Sequence, residues 1–161
     1  MIRTILLSSH AIAGLIALVF AVVVLRPPAS ADRWTVRVYL STLLAMLGFV
    51  IALVMVDWAE LDVASQITFS LLLALGVFTA YRGVQAYRAL RERAPGWRER
   101  YVDHVGFTVI SLFDGFTIVG AIDLGAPLPV VIVVGVLGVV VGITAINAVK
   151  RRLPVPAAES R

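Results

Sequence analysis

The chain has 161 residues, 60% of them apolar and 15% charged, and its formal net charge is +4. Soluble domains are about 45–50% apolar and about 25% charged, so this composition excludes an ordinary soluble domain. Cysteine is absent, which excludes disulfides, thiolate metal sites and a thiol nucleophile. Because the basic residues lie between apolar runs, where they act as topology signals, we expect no binding of nucleic acid.

Five apolar runs follow one another along the chain, each with about the 20 residues that a helix needs to cross a bilayer. They predict an all-α integral membrane bundle of five transmembrane helices, with sequential helices as antiparallel neighbours. We expect a single transmembrane domain over residues 1–153 and a disordered tail over residues 154–161. The predicted spans are residues 4–25, 35–56, 63–86, 101–122 and 130–149.

The first run also has an alternative interpretation as a cleaved signal peptide, with Ala29-Ser30-Ala31 as the processing site. This run exceeds the usual apolar length of about 7–15 residues in a signal peptide. Cleavage would also place all the arginine clusters outside the cell, against the preference of basic loops for the cytoplasm. We therefore favour an uncleaved first helix.

The orientation of the bundle follows from the basic residues, which concentrate in cytoplasmic loops. The second connection carries acidic residues and no Lys or Arg. The basic residues lie in the first connection (Arg26, Arg33, Arg37), in the third (five arginines over 88–100) and at the start of the tail (Lys150, Arg151, Arg152). This alternation predicts an outer N-terminus and a cytoplasmic C-terminus in the inner (plasma) membrane, with Arg3 as a weak counter-signal.

Three helices carry stripes of small residues, which allow helices to approach closely in lipid. On the first helix, His10 shares a face with such residues, and large aliphatic side chains occupy the lipid-facing side. The stripes are Ala13, Gly14, Ala17 and Ala21 on the first helix, Ser41, Ala45, Gly48 and Ala52 on the second, and Gly135, Gly138 and Gly142 on the fifth. They indicate packing within the chain or, alternatively, homo-oligomerisation through Gly138 and Gly142.

The fourth helix has one polar and one purely apolar stripe. The polar stripe should face the bundle or a wet cavity, because its groups would lack partners in lipid. We expect the apolar stripe to lie on the far side of the helix. The polar residues are His104, Thr108, Ser111, Asp114 and Thr117, and the apolar ones are Val105, Val109, Leu112, Phe116 and Val119.

Asp114 is the strongest functional candidate, because an ionised carboxylate inside a membrane costs roughly 2.5–3.5 kcal/mol. Three roles are open for it: a structural pair, proton or cation handling, and contact with a ligand. His10 is its candidate partner, since the two lie at similar depths and an imidazole can relay a proton near neutral pH. Ser111 and Thr108 would extend the same polar stripe.

His104 lies with Asp103 at the start of the fourth helix, and Arg82 could either pair with Asp103 or extend to the headgroups. His10 and His104 differ in depth by roughly 20 Å by helical rise, which excludes a bis-histidine haem within one chain. Haem on a single ligand or between subunits is a remote alternative. We otherwise expect no cofactor, no metal site and no catalytic site, since no ligand or nucleophile motif is present.

The segments from His10 to Leu18 and from Arg37 to Tyr39 resemble a family of uncharacterised predicted membrane proteins in bacteria. In that family the first helix carries His-x-x-x-Gly, matched here by His10 and Gly14, and the second opens near Gly-Arg-Val-Tyr. Here Val36 stands in place of the glycine. The resemblance implies a compact bacterial helical bundle and no established activity.

Two hypotheses of function follow, and neither is enzymatic. The first is a membrane protein that binds a partner protein or a lipid, as an accessory subunit. The second is a small transporter or channel for protons, cations or a small solute, using Asp114 with His10, Ser111 and Thr108. An electron carrier that binds haem is the remote third.

Overall fold

The computed structural model describes residues 1–25 and 32–153 of the chain. These residues form five long helices, joined in one place by a short 3-10 turn at Trp58–Glu60, and they contain no strand. The helices are α1 (Ile2–Leu25), α2 (Arg33–Asp57), α3 (Val63–Glu92), α4 (Trp97–Asp123) and α5 (Leu128–Arg151). All five are long and apolar enough to cross a membrane, which confirms the predicted all-α membrane bundle. The predicted processing site and tail lie outside the described residues.

Local sequence signals define the helix ends. The backbone N–H of Ser65 donates to the Asp62 carboxylate at 2.7 Å, which caps the start of α3. The turn from α3 to α4 uses two residues with left-handed backbone, Arg93 (φ 49°) and Gly96 (φ 72°). Pro129 lies in the first turn of α5, where a missing N–H costs no hydrogen bond.

The first four helices form a closed ring, and α5 lies outside it. α1 contacts α2 and α4, and α3 also contacts α2 and α4. α5 packs against α4, which therefore has neighbours on three sides. The ring is most tightly packed near its arginine-rich end, where Tyr101 is fully buried and its hydroxyl donates to the Val24 carbonyl oxygen at 3.1 Å.

The predicted packing face of α1 is confirmed. Its small residues are buried, and its large aliphatic side chains are exposed on the opposite side, where they would meet lipid. The buried set is Ala13, Gly14, Ala17 and Ala21, and the exposed set includes Ile5, Ile12, Ile16, Val19 and Val23.

The predicted packing face of α2 is wrong. Ser41, Ala45 and Gly48 are exposed, and a Cβ built at Gly48 would have no other group within 4 Å. The side chains that α2 buries are larger: Val36, Tyr39, Leu43, Met46 and Val54. The physical reason is complementarity, since the small face of α1 needs bulky partners to fill the space between the helices. Met46, for example, lies against Gly14.

The apolar stripe of α4 lies opposite Asp114, as helical periodicity predicts, and part of it packs inside the bundle. Val105 and Leu112 are buried in the core, and Phe116 lies against Gly14 of α1. Val119 is exposed. Because α4 is surrounded on three sides, both of its stripes meet other helices.

An ion pair forms at the end of the bundle opposite the arginines. Arg3 Nε lies 2.9 Å from Asp57 Oδ2, so the first helix is tied to the end of the second. Arg3 is the residue that opposes the predicted orientation, and the acidic partner offsets its charge. The orientation itself stays a prediction.

Candidate functional site at the interface of the fourth and fifth helices

The glycines of α5 bring it close to α4. A Cβ at Gly142 would overlap Ile110, and one at Gly135 would lie 3.2 Å from Ile118. On the opposite side of the interface, a Cβ at Gly106 of α4 would overlap Ile146. The glycine face of α5 is therefore covered by α4 of the same chain, as one of the two interpretations predicts. Homo-oligomerisation through Gly138 and Gly142 stays a prediction.

The Asp114 carboxyl lies in a notch between two of these glycines. A Cβ at Gly138 would be 2.5 Å from Asp114 Oδ1, and a Cβ at Gly135 would be 3.8 Å from Oδ2. The Oδ1 atom is buried and has no hydrogen-bond partner among residues 1–25 and 32–153. A buried polar atom without a partner is unusual in a folded protein and calls for a specific explanation.

The structure does not pair His10 with Asp114, which corrects that part of the predicted site. His10 Nδ1 lies 3.1 Å from the carbonyl oxygen of Met46, so it joins α1 to α2. On α4, Phe116 is the residue that meets α1, against Gly14. Asp114 is two positions from Phe116, and positions two apart on a helix are separated by about 200° around its axis. Asp114 therefore points away from α1. The physical reason is that Asp114 lies on the side of α4 that meets α5, whereas α1 packs against a different side of α4.

The remaining residues of the predicted polar stripe divide between two surroundings. Thr108 is fully buried in the bundle, and its hydroxyl donates to the His104 carbonyl oxygen at 3.3 Å. Ser111 is half-buried and lies nearly one turn before Asp114. His104 lies near the arginine-rich end, where its Nδ1 is buried without a partner in the part of the chain that is described. Ser111 therefore remains close to the side of Asp114, as does Thr117 on the following turn, whose hydroxyl donates to the Phe113 carbonyl oxygen at 2.7 Å.

A charged cluster closes the arginine-rich end of the same interface. Lys150 Nζ lies 3.0 Å from Asp103 Oδ1 and 3.1 Å from Glu99 Oε1, which ties the end of α5 to the start of α4. Arg82 donates to the carbonyl oxygen of Asp103 at 3.0 Å instead of pairing with its carboxylate. The guanidinium of Arg82 also stacks 5.1 Å from the ring centre of Phe107.

Sequence reasoning missed the role of Lys150, although a signal was present. Glu99 and Asp103 are four residues apart and share a face of α4. Antiparallel packing of α4 and α5 brings that face beside the basic end of α5. From the sequence alone, Lys150 indicates only the topology of the chain.

Comparison with protein-family models, curated proteins and solved structures finds no match. The resemblance of the first two helices to bacterial membrane proteins stays a prediction.

The described residues contain no group of three or more His, Asp or Glu side chains that could hold a metal ion. What the interface does offer is a single carboxyl group inside a membrane-spanning segment, held against glycine backbone. Such a group can bind a proton or a small cation, because either would neutralise the charge of the carboxylate.

Proposed function

We propose that the protein is a non-enzymatic membrane protein that binds a proton or a small cation at Asp114. The observation that carries this proposal is the buried Oδ1 atom, which has no hydrogen-bond partner in the described chain. An ionised carboxylate in the membrane costs roughly 2.5–3.5 kcal/mol, and neutralisation by a bound proton or cation removes much of that cost.

The neighbouring residues support this role over that of a structural ion pair. The nearest predicted partner, His10, is engaged with Met46, and Lys150 is engaged with Asp103 and Glu99. Ser111 is half-buried nearly one turn from Asp114 and supplies a hydroxyl oxygen as a second polar group. The notch at Gly138 leaves no side chain of α5 between the carboxyl group and the helix backbone.

Flux measurements test whether the bound ion crosses the membrane. Purified protein is placed in liposomes that contain a pH-sensitive dye, and a potassium gradient with valinomycin sets the membrane potential. We expect Asp114→Asn to abolish proton flux or cation-coupled flux, because the amide cannot ionise. Glu60→Gln is the matched control, since Glu60 is an exposed carboxylate at the end of the bundle. Flux that persists in Asp114→Asn would exclude transport through this group.

Chemical labelling tests binding at Asp114 independently of transport. Dicyclohexylcarbodiimide reacts with protonated carboxyl groups in apolar surroundings, and peptide mass spectrometry locates the adduct. We expect labelling of Asp114 to increase as the pH falls. Protection by Na⁺ or K⁺ at constant pH would identify a cation as the ligand, and no protection would identify a proton. A lack of labelling at any pH would contradict both.

We further propose that the bundle lies in the plasma membrane of a bacterium, with its arginine-rich end in the cytoplasm. The distribution of Lys and Arg supports this orientation. Because the chain has no cysteine, a single cysteine at Glu92 or at Glu60 gives an unambiguous reporter for a membrane-impermeant maleimide. In intact cells we expect only the cysteine at position 60 to react. Reaction at position 92 alone would reverse the orientation.

A second candidate function is the binding of a lipid or a partner protein as an accessory subunit. The observation that favours it is a pocket with three arginines between α2 and α3, at the arginine-rich end of the bundle. This function does not need Asp114 to titrate, so the two candidates can be tested separately.

A further inference from the structure

A polar pocket opens between the start of α2 and the end of α3. Its volume is about 320 Å³, and it is lined by Arg33, Arg37, Tyr87, Leu90 and Arg91. The antiparallel arrangement of the two helices brings the first turns of α2 beside the last turns of α3. We refer to these five residues as the arginine pocket.

The arginine pocket carries positive charge that its own side chains do not neutralise. The Arg37 guanidinium lies beside the Tyr87 hydroxyl, and the charges of Arg33 and Arg91 also act on this hydroxyl. Asp32 is the carboxylate that acts on Arg37. Within residues 1–25 and 32–153, none of the three arginines forms an ion pair with a carboxylate.

Two other basic residues of the described chain do form ion pairs. Arg3 is paired with Asp57, and Lys150 is paired with Asp103 and Glu99. Three arginines line one cavity, only Asp32 acts on one of them as a carboxylate in the described chain, and their like charges repel one another unless an anion is present. The pocket is therefore suited to an anionic ligand.

The donor groups in the arginine pocket match a phosphate. A guanidinium presents a planar fork of N–H donors that binds two phosphate oxygens at once, and the Tyr87 hydroxyl adds a further donor. The first turn of α2 contributes as well, because its cap residue, Asp32, makes no side-chain hydrogen bond to the backbone N–H groups of this turn. The positive end of the helix dipole also favours an anion there.

The position of the pocket agrees with a phosphate at the membrane surface. It lies at the ends of two helices that are long and apolar enough to cross a membrane, where lipid headgroups would surround the bundle. Trp34 follows Arg33 and is 63% exposed, as is typical of aromatic side chains at the interface of a bilayer. Basic pockets between transmembrane helices on the cytoplasmic side are a recurrent means of binding anionic headgroups.

We propose that the arginine pocket binds a phosphate group, carried either by an anionic lipid headgroup or by free inorganic phosphate. Arg33, Arg37 and Arg91 hold the phosphate oxygens, and Tyr87 positions Arg37 and donates its hydroxyl. This proposal gives the accessory function a class of ligand, and it does not depend on Asp114.

Binding is measured on the full chain, purified in an uncharged detergent. Native mass spectrometry records retention of phosphatidylglycerol and of phosphatidylcholine with the same acyl chains, and calorimetric titration records binding of inorganic phosphate. The test variant is the double substitution Arg37→Gln with Arg91→Gln. The matched control is Arg88→Gln with Arg151→Gln, which removes the same charge from two exposed arginines outside the pocket.

We expect phosphatidylglycerol to be retained by the wild type and the control, and phosphatidylcholine to be released. Loss of two charge-assisted contacts should weaken binding about tenfold or more in the test variant. If inorganic phosphate binds with the same dependence on Arg37 and Arg91 and the lipid does not, the phosphate chemistry is supported and the source is the free anion.

Two results would overturn the proposal: neither ligand binds to the wild type, or the test and control variants bind equally well. If the double variant does not fold, Arg33→Gln alone serves as the test, because Arg33 is exposed at the first residue of α2. Asp114→Asn should bind phosphatidylglycerol as the wild type does. Asp114→Asn should lose flux and keep lipid binding, and the arginine variant should lose lipid binding and keep flux. Because each variant affects a different measurement, failure of one proposal can be distinguished from failure of the other.

Discussion

Asp114 of α4 lies so close to Gly138 of α5 that a Cβ at position 138 would be 2.5 Å from its Oδ1 atom. The carboxyl group thus occupies the space that the missing side chain leaves. Gly138 is needed for close approach of the two helices and, equally, for the position of the carboxyl. The packing of α5 against α4 and the position of the Asp114 carboxyl group are therefore physically coupled.

This coupling predicts a specific pattern in a double-mutant cycle. Gly138→Ala should lower the free energy of unfolding by about 1–3 kcal/mol, as overpacking does, because the carboxyl or the helix must move. In an Asp114→Ala background the same substitution should cost much less, since the obstructing oxygen is gone. Unfolding in mixed micelles measures each variant, and the two substitutions should be clearly non-additive.

Gly48→Ala is the control for this cycle. A Cβ at Gly48 has no other group within 4 Å, so we expect this substitution to raise the free energy of unfolding by about 0.5–1 kcal/mol, the ordinary gain of alanine over glycine in a helix. If Gly138→Ala and Asp114→Ala were additive, the contact between carboxyl and glycine would not determine the packing of α5.

The sequence was sufficient for the fold because the bilayer limits what a chain can do. Backbone groups in lipid must be satisfied within each segment, so a long apolar run specifies a helix. At the arginine-rich side the helices continue past the predicted spans, since α3 extends to Glu92, beyond residue 86, and α4 begins at Trp97, before residue 101. The ends of these two helices are set by the backbone turn at Arg93 and Gly96, and not by the thickness of the hydrocarbon layer.

The candidate site could be predicted only in part. The cost of a buried charge singled out Asp114, and this argument needs no knowledge of its neighbours. Identifying the neighbours required the arrangement of the helices, which periodicity on one helix does not contain. Periodicity gave the direction of Asp114 relative to Phe116, but not that α5 lies on one side and α1 on the other. The assumed partner, His10, consequently proved to face α2.

The same limitation explains the error on α2. Small residues were expected to mark the packing face, and this holds for α1. Two small faces packed together would leave empty space between helices at this separation. The structure instead sets Met46 of α2 over Gly14 of α1 and leaves Gly48 exposed. The sequence of one helix does not show which of two facing helices contributes the small side chains to their interface.

The Lys150 cluster predicts a salt-dependent contribution to stability. The side chain of Lys150 is 24% exposed and its partners, Asp103 and Glu99, are 42% and 64% exposed, so solvent screens the interaction. Lys150→Gln should lower the free energy of unfolding by about 1 kcal/mol or less. The difference from wild type should shrink when the ionic strength is raised.

Arg151→Gln is the matched control for Lys150, because Arg151 is the next residue, is exposed and forms no ion pair within the described chain. Thermal unfolding in detergent at low and high NaCl would measure both variants. Equal losses of stability in the two, with equal dependence on salt, would show that total charge and not the Lys150 cluster determines the effect.

The buried hydroxyl of Tyr101 predicts a cost for its removal. Tyr101 is fully buried and donates to the Val24 carbonyl oxygen at 3.1 Å, which links α4 to the end of α1. Tyr101→Phe leaves that carbonyl without this donor and should cost about 0.5–1.5 kcal/mol of unfolding free energy. Tyr81→Phe, at a site that is 54% exposed, should cost much less. Similar losses for both would mean that Val24 finds another donor.

The Asp62 cap predicts a dependence of stability on pH. The Ser65 backbone N–H donates to the Asp62 carboxylate, and this hydrogen bond holds the pKa of Asp62 below its ordinary value of about 3.9. Because the pKa is lower in the folded state, the carboxylate stabilises the protein at pH values above the unfolded pKa. That contribution is lost as the pH falls through the folded pKa.

Asp62→Ala should therefore have a lower Tm than the wild type near neutral pH, and the difference should shrink below about pH 4, where wild-type Asp62 takes up its proton. Asp62→Asn is the control, since an asparagine can cap the helix without ionising. Its Tm should lie near that of the wild type at neutral pH. Thermal unfolding in detergent from pH 7 to pH 3 makes the comparison. A difference for Asp62→Ala that stays constant over this range would show that the charged form of Asp62 does not act in the cap of α3.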